Sequence, residues 1–214
     1  MTAKTKHEFI EEWNWTSGKP LGKPVERSFA HREGIPHEGV HLWIYKIIDG
    51  EIWILLQKRS RNKDLYPSVF DISVGGHVPF GLNNGKIQKE ASEELSIDVK
   101  DEELTDLGYF RYEEIIPQMD LFHREFQHIW IMNSDIEIDS YSFSDGEVEA
   151  VCFIRLNDFI SVLSGKLKSA ESFYFDGKNV FMRDIELEEF HPLFFSPGMK
   201  DYLALVIDAI SHNT

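Results

Sequence analysis

The sequence predicts a mixed α/β (α+β) domain in which a mixed β-sheet lies between helical layers. Three observations carry that expectation: two β-rich runs joined by an Asp-Gly turn, a strand that ends in Gly-Gly and leads through a loop into an amphipathic helix, and a C-terminal helix with apolar residues at helical spacing. With 214 residues, the chain suits one domain with a large core, since domains run to ~100–200 residues.

In chain order, residues 11–26 (EEWNWTSGKPLGKPVE) carry two Gly-Lys-Pro triplets. Proline cannot donate to a central ladder, so the triplets read as turns around short edge strands in an arm outside the main sheet. Residues 40–48 and 51–57 are β-branched and aromatic, and Asp49-Gly50 between them suits a type I′ hairpin turn. Residues 69–74 read as a short strand entering Gly75-Gly76-His77, and residues 86–95 as a helix. Further strands are expected at 107–112, 126–132 and 148–156, the last with Val148, Ala150, Cys152 and Ile154 on one face. Asn157 is placed to cap a helix that runs to Ser164 and stops at Gly165. The final helix begins near Ser196-Pro197 and carries Leu203, Val206, Ile207 and Ile210 on its apolar side.

Composition narrows the function. Large apolar residues, among them 16 Phe, 5 Trp and 7 Tyr, exclude general disorder. The net charge of −15 repels polyanions, so neither a nucleic-acid polymer nor an anionic membrane surface is an expected partner. A small phosphorylated substrate fits only where a divalent cation or a local Lys/Arg cluster reverses that field. The stretch Lys58-Arg59-Ser60-Arg61-Asn62-Lys63 is such a cluster. A single cysteine, Cys152, excludes an internal disulfide and any zinc site of two thiolates. With no apolar leader after Met1 and no membrane-length apolar run, a soluble, unprocessed, cytoplasmic chain is expected.

The helix at 86–95 carries the chemistry. At about 100° per residue Ile87, Ala91 and Leu95 form a buried stripe, while Glu90, Glu93 and Glu94 share a neighbouring face. Like charges so spaced repel by a few tenths of a kcal/mol per pair, and a hard divalent cation is their natural neutraliser. A solvated acidic face is the alternative, since Asp101-Glu102-Glu103 and Glu113-Glu114 show how common acidic clusters are in this chain.

Residues 76–97, with Gly76 and the run Lys89-Glu90-Ala91-Ser92-Glu93-Glu94-Leu95-Ser96-Ile97, resemble the signature of the Nudix family. The resemblance implies an α/β/α sandwich around a mixed sheet, hydrolysis of a diphosphate joined to another moiety, and Mg²⁺ or Mn²⁺ as cofactor. It assigns Glu93 and Glu94 as the metal-ligand pair, Glu90 as a third carboxylate that binds metal or acts as base, and Gly76 as a carbonyl ligand. Three departures stand out: Leu82 replaces the signature's first glutamate, the spacer before Lys89 is one residue short, and Lys89 and Ser96 replace an arginine and a glycine. They read as one rebuilt loop around Gly81-Leu82-Asn83-Asn84-Gly85, with an Asn starting the helix and turnover slowed.

A narrower resemblance, over residues 34–164, is to the branch containing isopentenyl diphosphate isomerase and its hydrolase-like relatives. Residues 57–67 look like its diphosphate-facing loop, which makes Arg59 and Lys63, with Lys58 beside them, candidate substrate-binding cations. His41 and His77 match metal-holding positions, Glu125 an essential carboxylate, and Glu147 an acidic turn that joins the candidate ligands. The isomerase's cysteine falls on Gly75. The expected organisation is an arm at 1–33, a Nudix-like domain at 34–165, and a C-terminal extension at 166–214 whose helix packs on the same domain. The arm's free edge makes a homodimer the expected assembly. The function implied is a metal-dependent hydrolase of a small organic or nucleoside diphosphate, the alternatives being an isomerase-like enzyme or a Nudix-shaped binding module.

Overall fold

Period-two alternation along the central strands feeds two separate cores. In β3 (His37–Ile48), Trp43 and Tyr45 enter one core and Leu42 and Ile44 the other; in β4 (Glu51–Arg59), Ile54 and Leu56 join the first and Trp53 and Leu55 the second. Strands apolar on both faces must be covered on both, which requires a layer on each side of the sheet. In this computed structural model residues 8–63 and 65–213 are described. The start of the chain, read above as unprocessed, and Asp64 of the cationic loop lie outside the described residues.

Nine strands form the main sheet: β3 and β4, β5 (Phe70–Asp71), β6 (Val74–His77), β7 (Thr105–Ile116), β8 (Leu121–Asn133), β9 (Val148–Arg155), β10 (Ser169–Phe175) and β11 (Val180–Glu186). Their order is β11-β10-β9-β4-β3-β8-β7, with β5 against β4 and β6 against β3. Every pairing is antiparallel except β3 with β8, which run parallel with His37 opposite Glu125. The β3–β4 turn is the expected one, with Asp49 and Gly50 at φ 52° and 82°. β10 and β11, which the sequence reading did not anticipate, extend the sheet from within residues 166–214.

Helix α1 (Arg27–Glu33) follows the arm; α2 (Lys86–Leu95) covers one face, and α3 (Leu156–Leu163) and α4 (Met199–His212) the other. On α2 the stripe of Ile87, Ala91 and Leu95 is buried as expected, and truncating such a leucine to alanine costs ~2–5 kcal/mol. The predicted cap is not an asparagine: Gly85 occupies the N-cap at φ 66°, a left-handed conformation that glycine adopts freely. At the other end Ser96 takes φ 56° and caps the helix through its backbone N–H, the position where the family signature has glycine. Asn157 lies inside α3, with Arg155 at the N-cap. On β9, Val148 joins the core opposite to Ala150, Cys152 and Ile154, because the pairing with β4 shifts register at Lys58/Arg59 and breaks the alternation.

The arm is a separate hairpin, β1 (Phe9–Asn14) with β2 (Lys19–Glu26). Its second Gly-Lys-Pro lies within β2, not in a turn, which a two-stranded ribbon tolerates. Among the described residues no helix is long and apolar enough to cross a membrane.

Candidate active site

A cavity of about 330 Å³ opens between the arm, α2, the cationic loop, β8 and the C-terminal segment. Its acidic wall is α2. Strand β6 runs beneath that helix and brings Gly76 so close to Glu90 that a Cβ there would collide with the carboxylate. Lys89 Nζ bridges Glu90 Oε1 at 2.9 Å and Glu93 Oε2 at 2.6 Å, so lysine does join two carboxylates where the family signature has arginine. Glu94 turns inward and is almost fully buried, accepting from the Gly75 N–H and Gln57 Nε2, each at 3.1 Å. Burial pushes its carboxyl up to about 8; burial also raises Glu90, against the pull of Lys89. The three helix carboxylates therefore do not meet at one point: Glu90 and Glu93 face the cavity, and Glu94 lies behind Gly75. Leu82, in place of the signature's first glutamate, packs on the apolar core beneath α2.

The cationic loop divides its labour. Arg59 donates from Nε to the Tyr66 carbonyl, from Nη2 to the Leu65 carbonyl and from Nη1 to Asp71, each at 3.1 Å. It is a strut that shapes the loop, with two N–H groups left over. Lys63 lines the cavity and is paired with Glu147, whose carboxyl it draws below the usual range against the opposing effect of burial. Lys58 turns to Glu149 at 3.5 Å and to the Phe70 ring, and does not line the cavity. Arg27, which the sequence reading passed over, does line it and pairs with Glu8 at 2.9 Å. A seven-residue helix leaves no periodicity to announce it.

A second cluster forms another part of the cavity wall. Among the described residues, the only group of three or more potential ligands whose atoms lie within 4.8 Å of one another is His31, His37, His77 and Glu125. α1 supplies His31 and β6 His77, while the parallel β3–β8 register sets His37 against Glu125. Glu125 Oε1 lies 3.0 Å from His123 Nδ1, 3.6 Å from His37 Nε2, 3.8 Å from His31 Nδ1 and 3.9 Å from His77 Nε2. Burial alone would raise its carboxyl, yet His123 and His37 beside it hold it well below the usual range. Burial drives His31 down to about 3 and His77 well down, which keeps both imidazoles in the form that ligates metal.

His31 Nδ1 and His37 Nε2 are buried without a hydrogen-bond partner. Such orphaned nitrogens around one carboxylate oxygen are a state that a divalent cation would relieve. The residues thus fit a metal, and an imidazole-rich set suits Mn²⁺ or a later transition ion better than Mg²⁺. Of the histidines matched to metal positions, His77 belongs to this cluster. His41 stands apart, bonded to Tyr202. His37 had one signal in the sequence, an even spacing from His41 that puts the two on one face of a strand, whereas His31, on the seven-residue α1, had none.

A mixed sheet between helical layers, with a carboxylate-bearing helix packed under a Gly-Gly strand end, defines an α/β/α domain. No family model matches the chain. It is 33% identical over 141 residues to an uncharacterized Nudix hydrolase of Clostridium acetobutylicum, across 66% of this chain and 68% of that one. It is also 28% identical over 151 residues to Nudix hydrolase 3 of Arabidopsis thaliana, across 69% of this chain but 19% of the plant protein. A crystal structure from Deinococcus radiodurans superposes with a TM-score of 0.56 at 18% identity, over 74% of this chain and 90% of that one, and shows the shared fold. The chain belongs to the Nudix hydrolase family.

Proposed function

We propose that this protein is a divalent-metal-dependent pyrophosphohydrolase acting on a small organic or nucleoside diphosphate. The observation that carries the reading is one cavity lined by Glu90 and Glu93, by the cations Arg27, Lys63 and Lys89, and by Glu125 of the histidine cluster. The cavity lining sets four cations, Arg27, Arg59, Lys63 and Lys89, against seven carboxylates, so a divalent cation is what would reverse the local field and let a phosphorylated ligand enter. A divalent ion held by Glu90 and Glu93, the two helix carboxylates that face the cavity, would neutralise charge on the transferring phosphoryl group, with Gly76 lending a carbonyl and Glu94 left outside the ligand set; a second would sit among His31, His37, His77 and Glu125.

The chain's own groups then have separate tasks. Lys63 exchanges Glu147 for a terminal phosphate oxygen, and Arg27 exchanges Glu8. Arg59 keeps the loop in shape through Tyr66, Leu65 and Asp71 and offers its remaining N–H groups to phosphate. Glu90 accepts the proton of the attacking water as the new P–O bond forms and the bond to the leaving phosphate breaks. Lys89 holds Glu90 in place for that task.

The finer likeness to the isomerase branch is a proposal about ancestry, not about chemistry. Isomerisation needs a thiol where this chain has Gly75, and Cys152 is fully buried in the core away from the cavity. The test is incubation with Mg²⁺ or Mn²⁺ and a panel of nucleoside, sugar and isoprenoid diphosphates, with products identified by mass and NMR. Release of phosphate or a monophosphate is expected. A product of unchanged mass with a moved double bond would replace hydrolysis with isomerisation, and binding without any product would leave a ligand-binding module.

A further inference from the structure

The cavity has a second end that no carboxylate or cation of α2 reaches. It is walled by Ile72, Leu193, Phe194, Met199 and Tyr202, four of them from the C-terminal segment, with the Asp71 carboxylate and the His191 ring also beside His41. Into it faces His41, whose surroundings fix where its proton sits. Trp43 Nε1 lies 2.8 Å from Tyr202 Oη, and His41 Nδ1 lies 2.8 Å from the same oxygen. An indole N–H can only donate, so Tyr202 Oη accepts from Trp43. The phenol's single proton is then given to His41 Nδ1, which must be an acceptor. The proton of the ring therefore resides on Nε2. A charged imidazole would donate from both nitrogens, and would leave the proton of a fully buried Tyr202 hydroxyl without an acceptor.

Burial, which holds His41 down at about 4, agrees with that assignment. Nε2 has no hydrogen-bond partner among the described residues. The ring's Cδ2 edge lies against Gly75, within 3.3 Å of where a Cβ would be, so a larger residue there would cover it.

We infer that His41 is a specificity-determining residue that offers one Nε2–H hydrogen bond to an acceptor oxygen in the non-phosphate moiety of the substrate, held fixed for that purpose by Trp43 and Tyr202. The class of substrate is then a diphosphate monoester of a compact, mostly apolar group bearing an ether, carbonyl or hydroxyl oxygen. A cavity of about 330 Å³ is at the small end of ligand sites, which run to ~300–1,000 Å³, and it must hold the diphosphate as well. A pure hydrocarbon would leave the buried donor unpaired, and a site built around a hydrogen bond rejects the analogue that lacks its partner. The inference rests on the hydrolase reading and deepens it.

The probes are the 2-methoxyethyl and butyl monoesters of methylenediphosphonate, which are alike in length, differ by one oxygen and cannot be hydrolysed at the bridge. Calorimetry with Mn²⁺ present should give about tenfold tighter binding of the methoxyethyl ester. His41→Phe should bring the ratio to within twofold of unity. Independently, ¹⁵N NMR of the whole protein should show His41 as the Nε2–H tautomer at neutral pH, and Tyr202→Phe should turn it into a mixture while reducing the preference. Equal binding of both esters overturns the inference and leaves the hydrolase reading standing, as does an Nδ1–H tautomer. Binding of neither ester, nor of inorganic pyrophosphate, overturns both. If His41→Phe fails to fold, the Tyr202→Phe arm decides alone.

Discussion

The helix glutamates and the histidine cluster are both candidate metal centres on one cavity, yet they are built in opposite ways. Glu90, Glu93 and Glu94 come from a single turn of α2, spread apart, and are held by Lys89, Gln57 and the Gly75 N–H. His31, His37, His77 and Glu125 come from four elements, converge within 4.8 Å and include nitrogens with no partner. A set supplied by one helix can adjust by rotamer alone, whereas a set supplied by four backbones is already organised before any ligand arrives. The second therefore depends on more of the fold being intact.

The largest test removes the carboxylate on which the histidines converge. Glu125→Gln should lower Mn²⁺ affinity at the cluster by more than ~100-fold, because ligand and outer partner are lost together; competition with a chromophoric chelator measures it. Little change would mean the histidines are only a packed hydrogen-bonded core.

Glu94→Gln comes next and concerns stability. The metal-free native protein keeps a proton on Glu94 up to about 8, against 4.5 ordinarily. Between these values the folded state binds a proton that the unfolded state has released, so stability falls as pH rises through that window and levels off above it. Lys63, Glu90 and Glu147 are the charges that act on the group. Glutamine imitates the protonated form and should remove this part of the slope, leaving the variant on the order of 2 kcal/mol more stable at pH 8.5 in chelator. Parallel pH curves for the two proteins would show that Glu94 is ionised throughout.

Gly76→Ala should displace Glu90 and slow turnover about tenfold with little change in melting temperature, since the far end of a flexible side chain can move aside. Smallest of all, Lys89→Arg should alter the rate less than twofold, because lysine already bridges both carboxylates and Leu82 leaves an arginine no further acidic partner. A large gain from that single change would mean that the loop and the helix start do not act as one unit.

The same contrast explains what the sequence disclosed. Ile87, Ala91, Leu95 and the three glutamates obey a 3.6-residue period, so both faces of α2 are readable without any tertiary information. The Asp49-Gly50 turn is local in the same sense. His31 and Glu125 have no such period between them; only the parallel register of β3 on β8, together with α1, brings them to one point. Arg59 shows a further limit: residue type marks it as a phosphate ligand, but its carbonyl partners at Leu65 and Tyr66 exist only once the loop has closed on it. β11 escaped because its apolar residues run together beside Arg183, Asp184 and Glu186 at the sheet edge, where alternation is weakly enforced, and β10, between β9 and β11, is short and has serine at two of its seven positions.

The single parallel pairing in an otherwise antiparallel sheet also bears on how the molecule is made. Antiparallel neighbours close through short turns, but β3 can meet β8 only after α2, β7 and the loops between them have been looped out, at a large entropic cost before any contact repays it. His37 and Glu125 are thus neighbours only across that long loop, and a chain in which β3 and β8 have not paired offers no assembled cluster. A divalent ion that binds the cluster would therefore add stability only to molecules in which β3 and β8 have already paired.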